Sequence, residues 1–280
     1  MISRVLGVYR EAEFSPDKVE ADAAILDAVL KQLQRAGASV DAIKPERFIT
    51  DTLPNAHLVL VMCQGAPALS RLAAIQESGA ITINSALAIR NCYRDLLAPG
   101  LLRAGVPVPE GALISTAESF SLKPLRELDL SAPMYVKRGD LHALGPHDVQ
   151  RVEDLGQLEA TLLRFARRGV QRAYVQQAAS GDVVKFYGVT GGDYFRAISE
   201  SGTLDETVNL KLAKAAAMAA AALGLEVWGG DAVVRDGQVT IVDFNDWPSY
   251  SRVRDDAARA IARRCELLLR RHPAARHVPA

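Results

Sequence analysis

Cysteine is scarce in this chain: Cys63, Cys92 and Cys265 lie far apart. With no Cys-x-x-Cys pair, neither a disulfide framework nor a zinc ribbon is indicated, and a reducing, cytoplasmic setting is expected. Excess charge is missing too, since Lys+Arg 33 against Asp+Glu 33 gives a formal net charge of +0. Bulk attraction for nucleic acid or for an anionic membrane is therefore not expected, and a polyanionic substrate must be met by a local cluster. No apolar run reaches membrane-spanning length, and the apolar opening Met1-Ile2-Ser3-Arg4-Val5-Leu6 turns charged too soon for a signal peptide. Internal repeats and low-complexity tracts are also lacking. What is present is core material: 49% of the 280 residues are hydrophobic, enough for one large or two to three small lobes.

The most informative stretch is residues 227–250. Two runs of β-branched and apolar residues flank Arg235-Asp236-Gly237-Gln238, and Asp-Gly suits a tight turn with φ > 0, so an antiparallel hairpin is expected. Alternation puts Asp243 and Asn245 on one face, and pairing can bring Asp231 alongside them. Hard oxygen donors of this kind suit Mg²⁺ shared with substrate phosphates. The same spacing also fits two aspartates that merely end exposed strands.

Earlier in the chain, residues 5–9, 39–43, 58–63 and 80–84 read as short strands. Helical patterns at 17–37 and 67–79 alternate with them, as in a parallel α/β lobe. Arg10, Glu11, Gln64 and Gly65 follow such strands and are weak candidates for ligand contacts. A helix is expected from a cap at Asn84-Ser85 through to Gly105, and Val106-Pro107-Val108-Pro109 ends it near a lobe boundary. Residues 133–137 read as a strand ending in Lys137, followed by the loop Arg138-Gly139-Asp140-Leu141-His142-Ala143-Leu144-Gly145. A cation beside a glycine-bearing loop suits phosphate, although a lysine at a strand end also serves as an edge gatekeeper. Residues 148–168 read as a charged helix, and 173–177, 183–189 and 194–199 as strands. Lys185, inside an apolar run, is a candidate phosphate contact. An alanine-rich helix at 203–224 and a last helix at 255–271 follow, with Arg263-Arg264 and Arg270-Arg271 expected on its solvated face.

In this order the features resemble the ATP-grasp superfamily over nearly the whole length. The resemblance implies an α/β lobe with a parallel sheet (residues 1–88), a central lobe (89–176) and a C-terminal lobe with the metal-binding hairpin (177–280), the last two clasping ATP between antiparallel sheets. It implies two magnesium ions on Asp231, Asp243 and Asn245, and Lys137 at the nucleotide phosphates. Gln176, Gln177, Ala178 and Ala179 would line the adenine, and Arg94 stands where the family usually has a lysine near the phosphates.

The hairpin ending Asp243-Phe244-Asn245-Asp246-Trp247-Pro248-Ser249 departs from the Glu-x-Asn-x-x-Pro-Gly of carboxylate–amine ligases. It is more similar to the inositol trisphosphate 5/6-kinase branch, as are the Lys-x-x-x-x-His spacing of Lys137 and His142 and the run Lys185-Phe186-Tyr187-Gly188-Val189. That resemblance implies transfer of the γ-phosphate of ATP to a hydroxyl of a small polyol or inositol phosphate, with His142 by the transferred phosphate, Lys185 at the acceptor and Asp140 available as a base. Ser249 and Arg252 suit an anionic group of the acceptor. The alternatives are a carboxylate–amine ligase acting through an acyl phosphate, and a nucleotide-binding module without turnover. The partner is then a small molecule. A homodimer could use apolar faces of the first or last helix, which core packing explains equally well.

Overall fold

A computed structural model describes residues 3–117, 120–141, 143–192 and 194–271. The alternating strands and helices at the start build a parallel sheet. Its elements are β1 (Arg4–Val8), α1 (Val19–Arg35), β2 (Ser39–Ile43), α2 (Pro45–Thr50), β3 (Leu58–Val61), α3 (Ala66–Glu77) and β4 (Ile81–Ile83), in sheet order β2-β1-β3-β4. Strand β3, and β1 after the exposed Arg4, are apolar because helices cover both faces, as in parallel sheets generally.

The single helix expected through residue 105 is two helices, α4 (Ala86–Asn91) and α5 (Arg94–Arg103). Ser85 caps the first, accepting from the Ala88 N–H at 3.0 Å. The chain then turns at Tyr93, which is buried with its hydroxyl on the Gln64 carbonyl, and a new helix starts at Arg94. The break sets the direction in which Arg94 projects.

The second sheet, β5-β8-β6-β7, is antiparallel: β5 (Gly111–Ser115), β6 (Met134–Arg138), β7 (Val149–Val152) and β8 (Arg172–Gln177), backed by α6 (Leu155–Arg167). The helix expected at 148–168 thus begins with a strand. Asp154 caps α6 by accepting from Gln157 N–H at 2.8 Å, and the residues before it pair with β6 instead.

The third sheet, β10-β9-β11-β12, contains β9 (Asp182–Val189), β10 (Tyr194–Ser199), β11 (Val227–Arg235) and β12 (Gln238–Asp246). Helices α7 (Glu206–Leu223) and α8 (Arg254–Arg271) pack on it. The hairpin turn is Asp236-Gly237, both with positive φ (50° and 71°) and Arg235 paired with Gln238. One face of this sheet lies on α7, whose Ala215, Ala216, Ala219 and Ala220 allow close approach. The opposite face packs at one end on α1, α8 and the first sheet, around Trp247 and Tyr250. The rest of that face looks into a cleft below the second sheet.

Two joints lock the first sheet to the third. The Asn84 amide donates to the Val227 carbonyl at 2.8 Å and accepts from the Val227 and Glu226 N–H groups at 3.0 and 2.8 Å. The Trp247 indole donates to the Ile83 carbonyl at 3.2 Å. Arg264 departs from the expected solvated face: it is buried and makes a two-pronged ion pair with Glu226 at 2.7 and 3.0 Å. Among the described residues no helix is long and apolar enough to cross a membrane.

Candidate active site

The face of the third sheet that looks into the cleft follows from strand register. Lys185, Asp231 and Asp243 stand opposite one another on β9, β11 and β12, and the next row is Tyr187, Gly229 and Asn245. Directly paired residues share a face, so Asp231, Asp243 and Asn245 form one oxygen-bearing patch. Gly229 sits between Tyr187 and Asn245 because a Cβ there would meet the Phe186 carbonyl at 2.7 Å and Pro248 at 2.8 Å.

One irregularity shapes the patch. The register slips between Asp231 and Ala232, so that Asp231 pairs with Asp243 while Ala232 pairs with Ile241. Val242 is the extra residue of this β-bulge. Its carbonyl leaves the ladder and accepts from Lys137 Nζ at 2.8 Å. The bulge therefore presents Asp243 to the cleft and supplies the partner for the lysine above it.

Across the cleft, Lys137, Tyr174 and Gln176 lie on the inner face of the second sheet, Lys137 being paired with Tyr174. Lys137 is 7% exposed. Burial pulls its ammonium down to about 8, against the opposing pull of Asp243 and Asp231 and with the help of Arg94. Arg94, 5% exposed at the start of α5, has its Nη2 3.9 Å from Asp243 Oδ2, while its Nε and Nη1 have no hydrogen-bond partner. A buried guanidinium with open donors suits an anion entering the cleft. Beyond these charges the cleft becomes apolar, lined by Leu97, Ala98, Leu101, Val108 and Ile241. One end thus suits phosphate and the other a planar apolar group.

The remaining expected residues are placed as follows. Gln176 is buried in the cleft, but the Gln177 and Ala178 N–H groups are taken by the Glu110 and Pro133 carbonyls at 2.8 and 2.9 Å. Gln177, Ala178 and Ala179 line a second groove with Asp129 and Tyr135. Lys185 is in the patch, bonded to Asp231 at 3.0 Å. Arg252 is outside it, on Glu200 at 3.2 Å, and Ser249 is half-buried in the turn between them. His142 lies outside the described residues. Asp140 is held by Arg138 at 2.8 and 3.0 Å, and this pairing, working against burial, keeps its carboxyl below the ordinary range. That is unhelpful for a general base.

The weak candidates of the first lobe are spent on structure. Arg10 donates to the Met62, Asp246 and Trp247 carbonyls and to Asp22. Glu11 accepts from the Gln64 and Gly65 N–H groups at 3.0 Å each, and the Gln64 amide donates to Asp246 at 2.7 Å. Sequence reasoning missed Tyr174 and the Val242 carbonyl; a strand alternation that breaks at Val242-Asp243 was the available signal for the latter.

No family model matches the sequence, and comparison with curated proteins finds no similar chain. Solved structures do match along the full length. A D-alanine–D-alanine ligase from Bacillus anthracis complexed with ATP superposes with a TM-score of 0.70 at 14% identity, covering 95% of this chain and 99% of that one. A RimK domain ATP-grasp protein from Sphaerobacter thermophilus gives 0.69 at 19% identity, covering 93% and 98%. The VanG D-Ala:D-Ser ligase from Enterococcus faecalis gives 0.68 at 13%, covering 93% and 95%. With a parallel α/β lobe followed by two antiparallel sheets that close on a cleft, the chain has the ATP-grasp fold.

Proposed function

We propose that this chain is an ATP-dependent carboxylate–amine ligase acting on small molecules. The observation that carries the reading is the cleft itself: buried Lys137 and Arg94 face Asp243 across it, beside an apolar recess. The solved structures of the same fold that bear ligase names favour this chemistry over a kinase.

The donor set of two carboxylates and an amide on one face fits magnesium, with Asp231, Asp243 and Asn245 as the residues that would hold it. When bound, the ion supplies charge neutralisation at the phosphates of ATP. The chain's own groups do the rest. Arg94 offers Nε and Nη1 to phosphate oxygens, and Lys137 exchanges the Val242 carbonyl for a second. The apolar recess excludes water and takes the base, with Gln176 as a polar contact at its edge. A substrate carboxylate oxygen then bonds to the γ-phosphorus as the bond to the β,γ-bridging oxygen breaks. ADP leaves, and an amine attacks the acyl carbon and expels phosphate. Ser249 and Arg252 are the acceptor-side groups of this reading, while Lys185 stays with Asp231 in the patch.

A second reading, phosphate transfer to a hydroxyl of a polyol or inositol phosphate, is favoured by the Lys137 to His142 spacing and by the hairpin ending Asp246-Trp247-Pro248-Ser249. An ATP-consumption screen with Mg²⁺, followed by phosphorus-31 spectra, separates the two. Free phosphate appearing only with a carboxylate and an amine together supports the ligase. A stable phosphate ester on a polyol replaces it with the kinase.

A further inference from the structure

The two buried cations of the cleft are carried by separate parts of the molecule. Lys137 rides on β6, whose sheet has its own core against α6. Arg94 opens α5, whose Leu97 and Leu101 belong to the core under the third sheet. With separate cores beneath them, much of the spacing between the two cations is left to polar bonds between α5 and the second sheet. Asp95, the neighbour of Arg94, makes those bonds with both its backbone and its side chain. Its N–H donates at 2.9 Å to the carbonyl of Gly139, which follows Lys137 closely in the chain. Its carboxylate accepts from Arg172 Nη2 at 3.0 Å, and the Arg172 carbonyl accepts from the Gly139 N–H at 2.7 Å. Asp95, Gly139 and Arg172 thus close a ring of three hydrogen bonds across the boundary. Gly139 suits this ring because a Cβ there would meet the Arg172 carbonyl at 2.9 Å. From the α4 side, Arg90 grips the same carboxylate with two donors at 2.7 and 2.9 Å while lying over the Tyr93 ring at 4.5 Å. A buried carboxylate held by a guanidinium from each side is fixed in direction as well as in place. Leu141 adds an apolar contact from the same loop to the core of the first lobe.

We propose that Asp95, acting through Gly139 and Arg172, is a positioning residue that sets Arg94 at the spacing from Lys137 needed for both to grip one phosphate chain. The proposal rests on the Mg-ATP reading above, and it assigns Asp95 no contact with the nucleotide. Its effect falls on phosphate affinity, because the apolar recess is built by other residues of the cleft.

Replacing Asp95 strips two arginines of their acceptor at once, so the test uses Arg172, which is exposed and whose loss leaves the Arg90 pair intact. Binding of Mg-AMP-PNP and of adenosine is followed by titration calorimetry. Arg172→Met should weaken Mg-AMP-PNP about tenfold, within the range found for coupled neighbours, and leave adenosine, which offers no phosphate, unchanged. Arg172→Lys, which keeps a cation for Asp95, should recover most of that loss. In an Arg94→Met background Arg172→Met should cost nothing further, because the group being positioned is gone. A loss of the same size in both backgrounds, an equal loss for adenosine, or no loss at all overturns the proposal while leaving the Mg-ATP reading in place. Failure of the native protein to bind Mg-AMP-PNP overturns that reading and the proposal with it.

Discussion

Arg94 is the costliest residue in the cleft, because two of its donors are buried without partners. Buried donors left without hydrogen bonds destabilise a fold, and residues kept at such a cost are commonly functional. Arg94→Met should therefore raise the melting temperature of the ligand-free protein by about 2 °C or more. It should also reduce the further rise produced by ATP, both read by calorimetry. Lys137 yields a prediction in pH. Its ammonium is lowered to about 8, so the fold bears the burial cost fully below that value and sheds it as pH rises from about 8 towards the unfolded value. Phosphates restore the charge, so nucleotide binding should take up a proton above pH 8 and weaken as pH rises further. Titration calorimetry in two buffers of different ionisation heat measures that uptake. Asp243→Asn should leave a folded protein and abolish metal-dependent ATP consumption; retained turnover would remove Asp243 from the metal site. Spacing puts Asp243 and Asn245 on one face, but a regular ladder from the Asp-Gly turn would set Asp231 against Val242, and only the bulge brings it opposite Asp243. Arg94 was placed only by resemblance, because the break at Tyr93 that aims it depends on a contact with Gln64 far away in sequence.

At the scale of elements, the third sheet was readable as strands but not in its detail. The Asp-Gly turn and the alternation on each side locate β11 and β12, whereas the bulge at Val242 depends on pairing across β9, β11 and β12 at once. In the same way β7 was hidden inside a helical pattern, since only β6 beside it favours the extended form. Gly188 shows how tightly the sheet is packed: a Cβ there would fall 2.2 Å from the buried Trp228 ring, which itself stacks on Phe244. Gly188→Ala should lose about 1–3 kcal/mol or more of stability, measurable by urea denaturation, as expected for overpacking a rigid ring. A wild-type midpoint would mean that the Trp228 ring can shift.

Over the whole molecule, the first and third sheets share one hydrophobic core, while the second has its own core against α6. Asn84 is the polar rivet of the shared part. Asn84→Ala leaves the Glu226 and Val227 N–H groups without an acceptor and the Val227 carbonyl with only the long bond from Trp247 N–H, and should cost about 2–4 kcal/mol. Hydrogen exchange should then speed up in β4 and β11 together, with the second sheet unaffected. The alternation of strands and helices made the parallel first sheet legible in the sequence, and the resemblance to ATP-grasp proteins supplied the two antiparallel sheets after it. The interlocking was not legible, because Arg10, Gln64 and Asn84 look like ordinary loop residues until Asp246 and Val227 are brought to them.

That shared core also has a consequence for the growing chain on the ribosome. Ile25 and Val29 of α1 find their cover in Tyr250, Ile261 and Cys265, synthesised more than two hundred residues later. The second sheet, with its local partners, can settle as soon as β8 has emerged. The first must wait with an apolar face open until α8 arrives. Premature termination before Arg254 is thus a hazard of aggregation, and chaperone demand in the cell falls on the first sheet and α1.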